Sequence, residues 1–249
     1  MERWQNKVAV VTGAGAGIGA ATAAELVTNG FIVIALDRQE ERVQENQRKL
    51  PENLQSRYYP RRCDVTNESQ VKDTFAWIET EFGGTDVLVN NAGIIALGVE
   101  LSGLDNTQPL RNTLETNTMA VVYCVREAFN SMKKRHFDGH IVIINSVAGH
   151  RVPVASVGSL NIYPPSKHAV TAMVETYRQE FFMAGTKVKV TSISPGGVLT
   201  EIVPNIALHL ADHPLLNAED ISNAVLYVLS TPPHVQVHEL TIKPVGEKV

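Results

Sequence analysis

Short runs of apolar residues alternate with helical patterns along the whole chain, and this alternation restricts the fold more than any other feature. The predicted strands occupy residues 8–11, 31–36, 58–63, 87–89, 141–144, 188–193 and 240–242. Strands that are apolar on both faces predict a parallel sheet covered by helices on each side. Because crossovers between parallel strands are right-handed, we expect one doubly wound α/β domain over residues 1–249, with ligands at the carboxyl ends of its strands.

A glycine-rich segment lies between the first predicted strand and the first predicted helix. It reads Thr12-Gly13-Ala14-Gly15-Ala16-Gly17-Ile18-Gly19. Glycines let the backbone approach a pyrophosphate closely, and the helix N-terminus adds free N–H groups and the positive end of the helix dipole. In this strand–turn–helix position the segment predicts a dinucleotide-binding loop.

Three residues bear on which dinucleotide is bound. Asp37 lies 18 positions after Gly19, where an acidic side chain accepts from the ribose 2′-hydroxyl. The same side chain could instead cap the helix that follows. Arg38 could hold a 2′-phosphate, whereas Ala16 leaves the glycine-rich segment without a basic group. We expect NAD(H) to be preferred, with NADP(H) as the alternative.

Polar residues interrupt the apolar stripes of two predicted helices. Asn117 falls on the stripe of the region 107–135, which consists of Leu110, Leu114, Val121, Val125, Ala128 and Met132. Tyr163 and Lys167 extend the stripe of the region 163–182, which consists of Val170, Val174, Tyr177 and Phe181. Buried polar groups cost stability unless they are hydrogen-bonded. Each could be a satisfied core group, but together they indicate a polar site inside the fold.

Seven short motifs, found in this order, resemble those of the classical short-chain dehydrogenase/reductase family over essentially the full chain. They are Thr12-Gly13-x-x-x-Gly17-x-Gly19, Asp64-Val65, Asn90-Asn91-Ala92-Gly93, Asn117, Ser146, Tyr163-x-x-x-Lys167 and Pro195-Gly196. Within the family, the segment from Ser146 to Arg151 is similar to the insect farnesol dehydrogenase-like group and to a vertebrate keto-steroid reductase. The resemblance implies a Rossmann-type fold and an NAD(P)-dependent enzyme that interconverts an alcohol, such as an isoprenoid or a steroid, and its carbonyl.

The resemblance also implies a role for each matched residue. Tyr163 would be the general acid/base, Lys167 would lower its pKa and hold the nicotinamide ribose, and Ser146 would orient the substrate oxygen. Asn117 would hold a water that links Lys167 to solvent. The implied cofactor-binding residues are Thr12, Gly13, Gly17, Ile18, Gly19, Asp37, Arg38, Asp64, Val65, Asn91, Ala92, Gly93, Tyr163, Lys167, Pro195, Gly196, Val198 and Thr200.

Two departures from the family pattern lie around Tyr163. Pro164 and Pro165 follow it, and proline is tolerated in the first turn of a helix, so we expect a helix to start there. Ser146 precedes Tyr163 by an unusually long interval, which predicts a substrate loop near residues 147–162. A third departure is Asp37, because the farnesol dehydrogenase-like group usually has a small residue there and prefers NADP.

Apolar residues outside the predicted core indicate the class of substrate and the oligomeric state. The substrate loop and a lid expected near residues 197–218 are rich in Val, Leu and Ile, which favours an apolar small-molecule substrate. Val122, Phe129, Met173 and Phe182 lie off the two helical stripes. Apolar surface on a second helix face predicts a homodimer or a homotetramer.

Charge and composition argue against several other classes of protein. The 22 basic and 26 acidic residues give a net charge of −4, which does not favour nucleic-acid binding. The sequence contains no run of 18 apolar residues, so no membrane span is predicted, and the first residues do not resemble a signal peptide. Cys63 and Cys124 are typical of reduced thiols, so a cytoplasmic location is expected.

Two further interpretations of the residues concern a metal site and a protein that is not an enzyme. His209 and His213 are too few for a metal site, so we expect no metal. The alternative to an enzyme is a catalytically silent dinucleotide-binding sensor or structural protein on the same fold, because a fold does not by itself specify a function.

Overall fold

Seven strands form one parallel sheet in a computed structural model that describes residues 1–153, 159–202 and 214–247. The strands are Val8–Thr12 (β1), Ile32–Asp37 (β2), Tyr58–Arg62 (β3), Val87–Asn90 (β4), His140–Ile144 (β5), Lys189–Pro195 (β6) and Glu239–Ile242 (β7). Their order is β3-β2-β1-β4-β5-β6-β7. The predicted doubly wound sheet is therefore confirmed, and its direction of winding reverses between β1 and β4.

Helices cover both faces of the sheet. They are Gly17–Thr28 (α1), Glu40–Lys49 (α2), Glu52–Gln55 (α3), Glu68–Phe82 (α4), Thr107–Leu114 (α5), Ala120–Lys134 (α6), Tyr163–Met183 (α7) and Ala218–Ser230 (α8). One core lies between the sheet and α1, α2 and α8, and the other lies between the sheet and α4, α6 and α7. Within the described part of the chain, no helix is both long and apolar enough to cross a bilayer.

Local sequence signals explain where several helices begin and end. The side chain of Asn67 accepts from the backbone N–H of Gln70 at 3.1 Å, which caps α4 as its position in the sequence suggests. Gly83 ends that helix with φ of +77°. Pro164 and Pro165 occupy the first turn of α7, as predicted from the missing proline N–H groups.

One π-helical turn, Glu115–Met119, joins α5 to α6 without interrupting the helix. The wider turn changes which side chains face the core. Leu114 is 38% exposed, whereas Asn117 is 1% exposed. The predicted stripe assumes a regular α-helix and is therefore wrong at Leu114, but it holds from Asn117 to Met132.

The expected ligand crevice lies where the direction of winding reverses, between β1 and β4. The chain leaves β1 toward one face of the sheet and leaves β4 toward the other, so a crevice opens above their carboxyl ends. Thr12 and Asn90 are the last residues of these two strands. The functional residues predicted from the sequence follow these strands and their neighbours β2, β5 and β6.

Candidate active site

The glycine-rich turn after β1 needs its glycines for steric reasons. Gly13 and Gly17 have φ of +66° and +52°, a backbone region that favours glycine. A Cβ on Gly19 would lie 2.2 Å from the carbonyl oxygen of Gly13 and 2.5 Å from Nδ2 of Asn91. The turn can therefore pack against the start of α1 and leave its backbone open to the crevice, as a pyrophosphate requires.

Thr12 and Asn91 hold this turn against the segment that follows β4. The Thr12 hydroxyl accepts from the backbone N–H groups of Asn91 and Ala92, both at 3.0 Å, and donates to Oδ1 of Asn90 at 3.1 Å. Nδ2 of Asn91 donates to the carbonyl oxygen of Thr12 at 2.9 Å. These bonds join the two walls of the crevice at its base.

Asp37 lies at the end of β2, beside the glycine-rich turn. One carboxylate oxygen accepts from the backbone N–H of Gly15 at 3.0 Å, and the other accepts from the N–H of Gln39 at 2.9 Å. The side chain therefore bonds the turn and also the backbone that leads into α2. Both roles suggested by the sequence are compatible with this position, because the carboxylate also lines the crevice.

Ser146, Tyr163 and Lys167 meet on the opposite side of the crevice, where β5 ends and α7 begins. Ser146 caps the short Val147–Gly149 turn by accepting from the N–H of Ala148 at 3.1 Å. Nζ of Lys167 donates to the carbonyl oxygen of Ile144 at 3.0 Å and lies 5.8 Å from the centre of the Tyr163 ring. The helical spacing places Tyr163 and Lys167 one turn apart on the same face of α7.

Burial determines the direction of the pKa shifts in this group. It lowers the pKa of Lys167 to about 8, because the charged ammonium loses solvation. It also raises the pKa of Tyr163, and a hydrogen bond with Ser146 acts in the opposite direction. In the chain by itself, loss of solvation therefore outweighs the bond with Ser146, and the expected lowering of the Tyr163 pKa by Lys167 stays a prediction.

Asn117 lies behind the crevice wall, with all its side-chain polar atoms hydrogen-bonded to the protein. Oδ1 accepts from the backbone N–H of Ile94 at 2.8 Å. Nδ2 donates to the carbonyl oxygen of Ile94 at 2.9 Å and to the Ser166 hydroxyl at 3.1 Å. Ser166 in turn donates to the carbonyl oxygen of Tyr163 at 2.6 Å. Asn117 thus links the segment after β4 to the first turn of α7.

The predicted residues come together around one cleft of about 800 Å³. Three of them, Thr12, Gly19 and Asn117, lie behind its wall and support it. The others line it: Gly13, Gly17, Ile18, Asp37, Arg38, Asp64, Val65, Asn91, Ala92, Gly93, Ser146, Tyr163, Lys167, Pro195, Gly196, Val198 and Thr200. With the open glycine-rich turn at one end and Lys167 at the other, this lining fits a nicotinamide dinucleotide.

Several further residues that line the cleft carry no obvious signal in the sequence. They include Ile94, Asn145 and Arg42, whereas Glu201 and Ile202 also line the cleft but belong to the predicted lid. Nδ2 of Asn145 donates to the Thr171 hydroxyl at 2.9 Å, which holds the end of β5 against α7. Asn145 directly precedes Ser146, and this adjacency is the one signal that could have identified it.

Parts of the predicted loop and lid lie outside the described residues. These parts are residues 154–158 and 203–213, which include His209 and His213. Residues on both sides of the second gap are paired, since the N–H of Leu199 donates to the carbonyl oxygen of Leu216 at 2.8 Å. Among the residues that the structure describes, no three His, Cys, Asp or Glu side chains are grouped to hold a metal. Cys63 and Cys124 are free and buried.

Comparison with known proteins agrees with this geometry. The model of the short chain dehydrogenase family matches residues 7–210. A farnesol dehydrogenase of Aedes aegypti is 56% identical over 248 residues, which cover 100% of both chains. The closed form of serine dehydrogenase complexed with NADP+ has a TM-score of 0.85 at 32% identity, covering 97% of this chain and 96% of that one. A short chain dehydrogenase/reductase from Burkholderia phymatum in complex with NAD has a TM-score of 0.81 at 26% identity, covering 97% and 90%.

The doubly wound sheet, the glycine-rich turn and the cleft define a dinucleotide-binding α/β protein. The chain belongs to the short-chain dehydrogenase/reductase family. It is an NAD(P)-dependent oxidoreductase that interconverts an alcohol and a carbonyl, as predicted, and its cofactor is a nicotinamide dinucleotide. The enzyme is thus favoured over the catalytically silent binding protein.

Proposed function

We propose that the protein oxidises an apolar alcohol, or reduces the corresponding carbonyl, with Ser146, Tyr163 and Lys167 as the catalytic group. The observation that carries this proposal is the convergence of the three side chains on one wall of the cleft, opposite the glycine-rich turn. When bound, the nicotinamide supplies the hydride chemistry. The protein must therefore orient the substrate oxygen and move one proton to or from it.

Each of the three side chains has a defined task. The Ser146 hydroxyl donates a hydrogen bond to the substrate oxygen and holds it beside the phenol of Tyr163. Tyr163 donates its proton to a forming alkoxide, or accepts it from the alcohol in the reverse direction. Lys167 carries a positive charge below its pKa of about 8, and it would hold the cofactor ribose. Asn117 is a positioning residue, since it contacts Ile94 and Ser166 rather than the cleft.

An isoprenoid alcohol such as farnesol, or a steroid, is the proposed substrate. Ile94 and Ile202 line the cleft, and Val152 and Leu199 are exposed at the described ends of the proposed substrate loop and lid. The farnesol dehydrogenase of Aedes aegypti, at 56% identity, supports the same substrate class. Burial of such a ligand would cover this apolar surface.

NAD(H) is the proposed cofactor of choice, because the Asp37 carboxylate would bond an unmodified ribose and repel a 2′-phosphate. The bonds from Gly15 and Gln39 hold this carboxylate in place. Asp37→Ala should shift the kcat/KM ratio toward NADP(H) by about tenfold, because a hydrogen bond to a charged group contributes roughly 1.5 kcal/mol. A wild type that prefers NADP(H), or a variant whose preference does not change, would contradict this assignment.

A homodimer or homotetramer is the proposed assembly, and the cytoplasm is the proposed compartment. Phe182 at the end of α7 is 82% exposed, which supports an apolar contact between copies. Phe129 and Met173 pack partly against the core, so the exposed apolar face is narrower than their sequence positions suggest. The free thiols of Cys63 and Cys124 support a reducing compartment. A sedimentation mass near 27.2 kDa at micromolar concentration would refute the assembly.

The test of the catalytic proposal compares two tyrosines on α7. Tyr163→Phe should bind the cofactor like the wild type but lose roughly 10²–10⁴-fold in kcat with farnesol, because the proton-transfer group is removed. Tyr177→Phe is the matched control and should keep its turnover, since Tyr177 is partly buried, stacks on Phe181 and does not line the cleft. Wild-type turnover by Tyr163→Phe would show that the mechanism is wrong. Efficient use of sugars or charged hydroxy acids, with no use of farnesol or steroids, would refute the substrate class.

A further inference from the structure

An ion pair spans the mouth of the cleft between α2 and the segment that follows β6. Nη2 of Arg42 lies 2.5 Å and 2.6 Å from the two carboxylate oxygens of Glu201. The two residues are 159 positions apart in the sequence, so the fold alone brings them together. Their side chains are 39% and 67% exposed, and both line the cleft.

The pair lies at the same end of the cleft as Asp37, the residue proposed to bond the adenosine ribose. A Cβ placed on Gly15 would be 2.8 Å from Oδ2 of Asp37 and 3.4 Å from Cβ of Arg42, so these three residues are direct neighbours. Arg42 and Asp37 also interact electrostatically. A 2′-phosphate on a ribose bound beside Asp37 would therefore lie near the guanidinium of Arg42. A guanidinium is the side-chain group that recognises phosphate best.

We propose that Glu201 is a positioning residue for cofactor selectivity, because it holds Arg42 away from the 2′-phosphate of NADP(H). This inference rests on the proposed NAD(H) preference and assigns a second cause to it, separate from Asp37. Asp37 repels the phosphate directly. Glu201 instead engages Arg42, which among the described residues is the cleft-lining arginine that forms an ion pair.

The chemistry of the pair supports this assignment. Because both carboxylate oxygens contact Nη2, the pair fixes the orientation of the guanidinium, and turning it toward another anion breaks two short contacts. The bond to Glu201 raises the pKa of Arg42, and the bond to Arg42 lowers the pKa of Glu201, so both groups stay charged at neutral pH.

The direct test measures binding of two fragments that differ only by the 2′-phosphate. Adenosine 2′,5′-bisphosphate and adenosine 5′-monophosphate are titrated into the full-length protein by calorimetry. Glu201→Gln should bind the bisphosphate about two- to fivefold more tightly than the wild type, the range expected for release of an exposed ion pair. Its affinity for the monophosphate should not change.

A double-mutant cycle separates release of Arg42 from loss of negative charge. In the Arg42→Gln background, Glu201→Gln should no longer improve bisphosphate binding. Arg48→Gln, which removes the same charge from the exposed end of α2, is the matched control and should leave the gain intact. An equal gain with and without Arg42 would overturn the proposal in favour of simple charge repulsion by Glu201.

Kinetics provide a second readout. With Glu201→Gln the KM for NADP(H) should fall by the same factor while kcat stays constant, since only the adenosine end of the cofactor is affected. Equal changes in KM for NAD(H) and NADP(H) would instead indicate a structural role and overturn the proposal. If the wild type prefers NADP(H), the proposed NAD(H) preference fails, but the fragment cycle still decides the role of Glu201 by itself.

Discussion

Replacement of Asn117 by alanine tests how the two halves of the active site are held together. The substitution removes three hydrogen bonds, two to the backbone of Ile94 and one to Ser166. Because Asn117 is 1% exposed, its partners lose these bonds in a place that water reaches poorly.

The expected loss of stability follows from the number of bonds. At about 1 kcal/mol for each net hydrogen bond, Asn117→Ala should lower the free energy of unfolding by about 3 kcal/mol. For a chain of this size about 1 kcal/mol corresponds to roughly 2–4 °C, so Tm should fall by roughly 6–12 °C. The kcat should fall as well, because Ser166 is bonded to the backbone of Tyr163.

Thermal unfolding followed by circular dichroism provides the measurement, and turnover with saturating cofactor is recorded in parallel. Asn130→Ala is the matched control, since Asn130 is an exposed residue of α6. It should change Tm by no more than about 2 °C. A Tm of Asn117→Ala within about 2 °C of the wild type would refute the view that this amide joins the segment after β4 to α7.

Three other substitutions give further predictions. Gly19→Ala should weaken cofactor binding at least about tenfold in a fluorescence titration, because its Cβ would lie 2.2 Å from the carbonyl oxygen of Gly13; unchanged affinity would contradict this packing. His140→Gln should make the free energy of unfolding fall less steeply as the pH is lowered, by about 1.4 kcal/mol per pH unit. Burial lowers the pKa of His140 from 6.5 to about 3, so between these values the unfolded chain takes up a proton that the folded chain does not, and wild-type stability falls as the pH falls. Equal slopes for variant and wild type in urea unfolding at pH 4 to 6 would refute this. Lys189→Met should destabilise the protein by about 3 kcal/mol, because Nζ of Lys189 donates to the carbonyl oxygen of Val235 at 2.8 Å and to the Thr231 hydroxyl at 3.0 Å; an unchanged urea midpoint would show that these bonds contribute nothing.

Most of the fold and the main site residues could be predicted from local patterns. The predicted strands agree with all seven observed strands to within about two residues. The inner strands are largely apolar because they are buried on both faces, whereas the edge strands β3 and β7 are partly exposed and include charged residues. The glycine-rich segment and the spacing of Tyr163 and Lys167 are also local, since a tight turn and a helical face are set by neighbours in the sequence. Ser146 could be assigned only through the resemblance to a family.

The features that local patterns could not predict all depend on residues far apart in the chain. The π-helical turn at Asn117 changes the helix face, and tertiary bonds to Ile94 and Ser166 accompany it. Burial of Tyr163 at the start of α7 raises its pKa, and the depth of that burial is set by the packing of the whole fold. Arg42 and Glu201 look like ordinary surface charges in the sequence, and only the packing of α2 beside the segment after β6 makes them a pair. Periodicity therefore determined which elements form, whereas the contacts and burial that decide the chemistry arise when those elements pack together.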